Sequence, residues 1–403
     1  MNILIITQYF WPENFRINEL ADELQSLGNN ITVLTGYPNY PEGEFYKDFL
    51  KNKKKYSEYK EIKLVRVPII ARGKSKIRLA LNYFSFVISA TLVGIFKFRK
   101  GNFDAIFVFQ TSPVFVGIPS SIISIFKKCP QIIWILDLWP DTLEALGLIK
   151  KRWQLNIIRK IVKFIYFRCK VILVQSKSFI KEIKKYGHKD IIYFPAWTES
   201  EFINSPKKLA KEIKLKKDIF TIIFAGNIGE AQDFPSILNT AEYLINNKFN
   251  SFRIILIGDG RKKEWVEKQI YIRNLENNFE ILKKYPLGRM PSFFRHADAL
   301  LVSLKNEAVF NMTIPGKIQT YLASGVPILG MLNGEGAKII NQSKSGFTCP
   351  AEDYKGLAKI IIRMSKLTNK KRQELGFNGI QFSKKEFDKS FLLTKLQKLL
   401  DDL

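Results

Sequence analysis

The chain has 403 residues, of which 46% are hydrophobic, 13% aromatic and 25% charged. That supplies two ordinary domain cores and excludes a disordered composition. Lys and Arg number 64 against 37 Asp and Glu, a net charge of +27, which points to a nucleic acid, an anionic membrane surface or a phosphorylated substrate.

The N-terminal MNILIITQYFWPENF lacks a basic leader and turns polar quickly, so it predicts a first strand, NILIIT (Asn2 to Thr7), and not a signal peptide. INELADELQSLG, Ile17 to Gly28, predicts an amphipathic helix stopped by glycine. ITVLTG, IKLVRVP, DAIFVFQ, QIIWILD and VILVQS continue as strands. Their apolar runs without strict alternation indicate a parallel sheet covered on both faces.

Within this half, Leu79 to Phe96 carries no charge and reaches the lower length of a membrane span. Asn82, Ser85, Ser89, Thr91 and Gly94 dilute it, and the DAIFVFQ strand follows almost at once. A spanning helix would separate two strands of one sheet, so a buried or surface-lying helix is expected. RWQLNIIRKIVKFIYFRCK, Arg152 to Lys170, mixes basic and large apolar residues in a pattern suited to a membrane interface.

Tyr193 to Asp218 is polar, basic and proline-bearing, and marks the domain junction. FTIIFAG, FRIILIG, NFEILK, ADALLVS and VPILG then repeat the strand–helix alternation. The terminal KEFDKSFLLTKLQKLL is amphipathic and could cross back to the first half. The expected domains are residues 1–195 and 196–385, with 386–403 as the returning helix.

Ligands of open α/β sheets bind beyond the carboxyl ends of strands. FAGNIGEAQDF places Gly226, Asn227 and Gly229 there, where backbone amides could approach a phosphate. LIGDGRKKEW offers Gly258, Gly260 and Arg261 but has Lys263 where a dinucleotide fingerprint needs its third glycine. PGKIQTYLASG opens a helix with Pro315 and Gly316 and puts Lys317 at its positive end. An anion would offset that placement. Thr320 follows one turn later with a hydroxyl, and Glu335 lies between glycines in NGEGAKII, placed to cap a helix or to bond a ribose. Three dispersed cysteines without CxxC spacing fit a reducing compartment, and two histidines argue against zinc or a histidine triad.

The progression ADALLVSLKNE, IPGKIQTYLASGVPIL, GEGAKII and GFTCPAEDYKGLAKII resembles the donor half of GT-B glycosyltransferases of the family 4 type. QYFWPENFRINELADEL and TGYPNYPEG are similar to bacterial transferases of O-antigen and capsule assembly, notably N-acetyl-L-fucosamine transferases. The resemblance implies an α/β GT-B architecture, two facing Rossmann-like domains with a cleft between them. It implies a UDP-sugar donor in the C-terminal half, an acceptor on the N-terminal half, retention of configuration, and no cofactor or obligatory metal. The family's pair of glutamates eight positions apart is absent, since Thr320 and Met312 stand there and Glu307 is out of register. Asn227 stands where the family has a phosphate-binding arginine.

The donor-binding candidates are therefore Gly226, Asn227, Gly229, Arg261, Glu307, Lys317, Thr320 and Glu335. Asp137 and Glu13, carboxylates after strands, are the catalytic candidates, able to deprotonate an acceptor hydroxyl or support oxocarbenium charge. Arg16 and Trp139 are the acceptor-binding candidates. The expected partners are a UDP-sugar, an undecaprenyl-diphosphate-linked saccharide and the anionic inner leaflet, with the enzyme cytoplasmic and peripheral on that membrane. A UDP-sugar 2-epimerase of the same fold is the rival reading. A nucleic-acid-binding protein is a third, disfavoured by the lack of any recognised module.

Overall fold

The computed structural model describes residues 1–145, 149, 151–203 and 208–403. Residues 146–148 and 150, and residues 204–207 of the junction, lie outside the described residues. The chain forms two compact units, one of Met1–Phe194 with Ser390–Leu403, the other of Pro195–Lys389.

The first unit is built on eight strands: β1 (Asn2–Ile6), β2 (Asn30–Gly36), β3 (Glu58–Tyr59), β4 (Ile62–Val67), β5 (Ala105–Gln110), β6 (Gln131–Ile135), β7 (Val171–Val174) and β8 (Ile191–Tyr193). Their order is β3-β4-β2-β1-β5-β6-β7-β8, parallel throughout except for the β3–β4 pair. Every residue of β5, β6 and β7 is buried, as expected of strands covered on both faces. From Ser390 onward, helix Lys389–Asp401 belongs to this unit, where Lys395 donates to the Tyr193 carbonyl (3.2 Å) and Asn29 to Gln397 (2.7 Å).

The uncharged stretch lies in helix Lys76–Lys97, whose N-cap Ser75 accepts from the Arg78 N–H at 3.2 Å. It connects β4 to β5 of a single sheet. By length and composition it could cross a membrane, with a mean hydropathy of 1.8. Its inward face is narrow: Asn82, Phe86, Ala90 and Gly94, four residues apart. Gly94 allows close packing, because a Cβ there would sit 2.3 Å from Ile123 Cδ1 of helix Gly117–Lys127. The opposite face exposes Ile77 (75%), Leu81, Phe84, Ile88, Leu92 and Phe96 (74%). Burying each of these would contribute about 1.5–3 kcal/mol, which the unit by itself forgoes. Helix Gly117–Lys127 also packs on helix Arg152–Arg168, which exposes Trp153, Ile157, Phe164 and Phe167.

The second unit has six parallel strands: β9 (Phe220–Asn227), β10 (Phe252–Asp259), β11 (Phe279–Leu282), β12 (Ala299–Ser303), β13 (Ile328–Met331) and β14 (Gly346–Cys349). Their order is β11-β10-β9-β12-β13-β14. The chain runs outward from β9 to β11 and returns to place β12 beside β9, so the order reverses between those two strands. Ligands of such sheets sit outside the carboxyl ends at that reversal. The short strands β3, β8 and β14 extend the set read from sequence.

Candidate donor and acceptor sites

In the second unit, helix Gly316–Ser324 runs beside the end of β9. It follows Pro315 and closes at Gly325, whose φ of 72° is left-handed. Tyr321 fixes its distance from the sheet: the hydroxyl accepts from the Ala225 N–H (3.0 Å) and donates to the Ala225 carbonyl (3.3 Å).

This docking lays the half-buried Lys317 side chain over Gly226. A Cβ on Gly226 would come 2.8 Å from Lys317 Cε, and the glycine's φ is 131°. Glycine is thus required twice, by backbone conformation and by the lysine crossing it. Lys317 Nζ donates to Gln232 Oε1 at 3.3 Å and lies 4.8 Å from the centre of the Phe224 ring. Among the described residues no carboxylate pairs with it. Burial pushes its pKa down to about 8, as expected for an ammonium short of water and counter-charge.

The loop after β9 is tied to both neighbours. Ile228 N–H donates to the Asp259 carbonyl (2.8 Å), and Lys305 N–H, after β12, donates to the Ala231 carbonyl (3.0 Å). Lys262 and Lys305 both reach Glu230, at 3.0 and 3.4 Å. Gly226 and Asn227 are exposed while Gly229 is buried, and a Cβ on Gly229 would strike Asn227 Nδ2 at 2.4 Å. Gly258 in β10 and Gly260 just beyond it serve close packing: a Cβ on Gly258 would lie 1.9 Å from the Gly226 carbonyl oxygen, and one on Gly260 2.3 Å from that of Ile228. Arg261 is exposed beyond them.

Thr320 is buried, and its hydroxyl lies 3.0 Å from Glu199 Oε2 and 3.2 Å from the Gly316 carbonyl oxygen. Glu335 is buried in the first turn of helix Gly334–Gln342, where Oε1 accepts from Lys338 Nζ at 3.0 Å. Its ribose role therefore competes with an ion pair on its own helix. Glu307 is exposed, immediately before helix Ala308–Met312.

In the first unit, Glu13 occupies a different place from the one expected of a catalyst. It is 1% exposed. Oε1 accepts from the N–H groups of Asn39 and Tyr40, both at 2.8 Å, and Oε2 from that of Phe10 at 3.2 Å. The carboxylate therefore joins the loop after β1 to the loop after β2, with its oxygens committed to backbone. Burial raises its pKa to about 7 against those three bonds and the nearby Arg66 charge.

Asn39 passes the connection on. Its Oδ1 accepts from the Arg72 N–H (2.9 Å) and from Asn82 Nδ2 (3.3 Å). Asn82 Oδ1 accepts from Gln8 Nε2 at 2.6 Å, and its Nδ2 donates to the Ile70 carbonyl at 2.7 Å. One polar network thus ties three strand-end loops to the apolar helix.

Asp137 follows β6 and is half-buried. Burial raises its carboxyl to about 6, opposed by a hydrogen bond from Ser112. Trp139, the other acceptor-binding candidate beside Arg16, is buried: its Nε1–H donates to Ser112 Oγ (3.0 Å), and its ring meets Phe115 edge-on at 5.4 Å. Arg16 is half-buried at the first position of helix Arg16–Ser26.

Sequence reasoning missed the group that does gather there. Tyr9, Phe15 and Tyr40 form a mutual aromatic cluster with centroids 5.2–5.5 Å apart. Arg72 donates to the Tyr9 hydroxyl at 3.1 Å and stacks over Tyr40 at 5.2 Å. Tyr83 feels both Arg72 and Asp137. The signal was present in GYPNYPEG and Arg72, but nothing local links them.

Known proteins bear on this geometry. Residues 206–382 match the family model "Glycosyl transferases group 1". The chain is 28% identical over 253 residues to the "Probable glycosyltransferase WbjE" of Pseudomonas aeruginosa, covering 58% of this chain and 60% of that protein. Anabaena HepE, solved with UDP and glucose, aligns with a TM-score of 0.68 at 14% identity, covering 100% of this chain and 99% of HepE. WaaG, described as a glycosyltransferase involved in lipopolysaccharide biosynthesis, aligns at 0.66 and 12% identity, covering 99% of each chain. The chain shares the GT-B fold of these structures, two Rossmann-like units, and the match to the glycosyl transferases group 1 model falls within its second unit.

Proposed function

We propose that the chain is a retaining glycosyltransferase of O-antigen or capsule assembly. It moves an N-acetylated sugar, N-acetylfucosamine or a relative, from UDP to an undecaprenyl-diphosphate-linked saccharide. The observation that carries this reading is the uncompensated ammonium of Lys317, laid over Gly226 at the end of β9. A diphosphate supplies the missing counter-charge. Gly226, Asn227 and Gly229 present the backbone beside it, and Arg261 adds charge from the next loop, so that no resident metal is required. Asp137, titrating near 6, suits proton exchange with an acceptor hydroxyl, and the Tyr9–Phe15–Tyr40 cluster suits apolar sugar faces. HepE, solved with UDP and glucose, supports the choice of donor nucleotide.

The test is a donor screen by mass spectrometry with a set of UDP-sugars and a short lipid-diphosphate-sugar acceptor. Transfer of one sugar, dependent on acceptor, is expected. Conversion of a UDP-sugar without acceptor would instead establish the epimerase.

The lipid acceptor implies a docking face, which we assign to helices Lys76–Lys97 and Arg152–Arg168. Their exposed apolar side chains would enter the interface while Arg152, Arg159, Lys160 and Lys163 meet anionic headgroups. The combined change Phe84→Ser, Ile88→Ser and Leu92→Ser is expected to weaken sedimentation with phosphatidylglycerol vesicles at least about tenfold. Turnover of a short-chain, water-soluble acceptor should stay unchanged. Equal vesicle binding by the two proteins would refute the assignment.

A further inference from the structure

Glu199 belongs to none of the roles assigned above, yet it reaches the same helix as Lys317. We propose that Glu199 supplies the carboxylate that binds the ribose 2′- and 3′-hydroxyls of the donor nucleotide, a proposal that rests on the donor reading of Lys317. Three observations carry it. First, Thr320 is three residues beyond Lys317 on one helix face, about 4.5 Å along the axis. That is about the step from a diphosphate to its ribose. Second, the Thr320 hydroxyl lies 3.0 Å from Glu199 Oε2, which brings a carboxylate to that level from 121 residues away.

Third, the segment bearing Glu199 is held in place. The buried Gln319 donates to the Ala196 carbonyl (2.9 Å), and Trp197 is fully buried. Thr198 N–H donates to the Phe387 carbonyl (3.1 Å), and the Thr198 hydroxyl bonds Ser383 Oγ (2.8 Å). These anchors leave Glu199 half-buried at the end of a fixed strap. An ionised carboxylate accepts about four hydrogen bonds, so engagement by the protein leaves capacity for a vicinal diol. Glu335 also has one oxygen held, by Lys338, but it stands on helix Gly334–Gln342, whereas Glu199 is bonded to the helix that carries Lys317 and Thr320.

The experiment measures binding of UDP and of 2′,3′-dideoxy-UDP to the full chain by calorimetry. The unaltered protein should prefer UDP. Glu199→Gln should lower UDP affinity about 10- to 100-fold and leave 2′,3′-dideoxy-UDP unchanged, erasing the preference, whereas Glu335→Gln should preserve it. A preference that survives in Glu199→Gln overturns the proposal, as does equal loss of both ligands at an unchanged melting temperature. Should Glu199→Gln fail to fold, Glu199→Asp must weaken UDP selectively. Absence of UDP binding by the unaltered protein would overturn the donor reading, and this proposal with it. UDP binding with discrimination independent of Glu199 overturns this proposal alone.

Discussion

Lys317→Met is expected to reduce UDP-sugar turnover by about 10²- to 10³-fold, the usual effect of removing one aimed donor from a site of developing charge. Methionine keeps the apolar stem against Gly226 and Phe224 and removes only the charge. Folding should not suffer, because the free protein holds that ammonium against one neutral oxygen and an aromatic ring. The pH dependence is a sharper signature. Lys317 is lowered from 10.5 to about 8 by burial. Between those values the unfolded chain binds the extra proton, so this residue makes stability rise with pH across the window. Ligand affinity moves the other way. A bound diphosphate keeps the lysine charged, so above about pH 8 binding must take up a proton, and UDP affinity should fall as pH rises further. Calorimetry in buffers of different ionisation enthalpy would detect that uptake. Lys317→Met should show neither the uptake nor the slope. If the variant keeps UDP affinity and turnover, the diphosphate assignment is wrong.

The second large effect concerns stability. Glu13→Ala removes the acceptor of three backbone N–H groups, those of Phe10, Asn39 and Tyr40. A buried donor left unsatisfied costs about 1–3 kcal/mol, so a loss of about 3 kcal/mol or more is expected. For a unit of this size that lowers the melting temperature by about 6–12 °C, read by scanning calorimetry or chemical denaturation. The folded pKa of Glu13 is raised from 4.5 to about 7 by burial. Its titration therefore favours the fold below pH 4.5, and that contribution is lost as pH rises through about 7. Glu13→Ala should flatten that part of the stability profile. A catalytic Glu13 would behave differently: kcat would fall about 10³-fold with the melting temperature unmoved.

The contrast between these two residues shows what sequence carries. Lys317 was legible because its signals are local: Pro-Gly before it, a helix after it, a strand-end glycine pattern elsewhere. The long strands were legible for the same reason, since β1, β5 and β9 are apolar runs that only a doubly covered sheet accommodates. β8 has three residues and β14 four, too few to display a period. Glu13 misled because a carboxylate after a strand can turn outward to a ligand or inward to a loop, and residues 26 and 27 positions away decide which. Glu199 was invisible because its link to Thr320 exists only once the chain has closed. Trp139 misled similarly, its aromatic surface being claimed by Phe115.

The apolar helix Lys76–Lys97 has a further consequence. As the crossover between two strands of one sheet, it can sink by no more than its own diameter, about 10–12 Å, before the sheet itself meets the headgroups. On the membrane reading it acts as a float: it sets a depth and cannot go deeper. Asn82, on the dry side of that float, is bonded to the loops that carry Tyr40 and Arg72. On that reading the height of those loops above the lipid would be fixed by one helix thickness. A polyprenyl tail could stay dissolved in the bilayer while its diphosphate and first sugar stand at the level of the aromatic cluster, and the enzyme would need no groove for the tail.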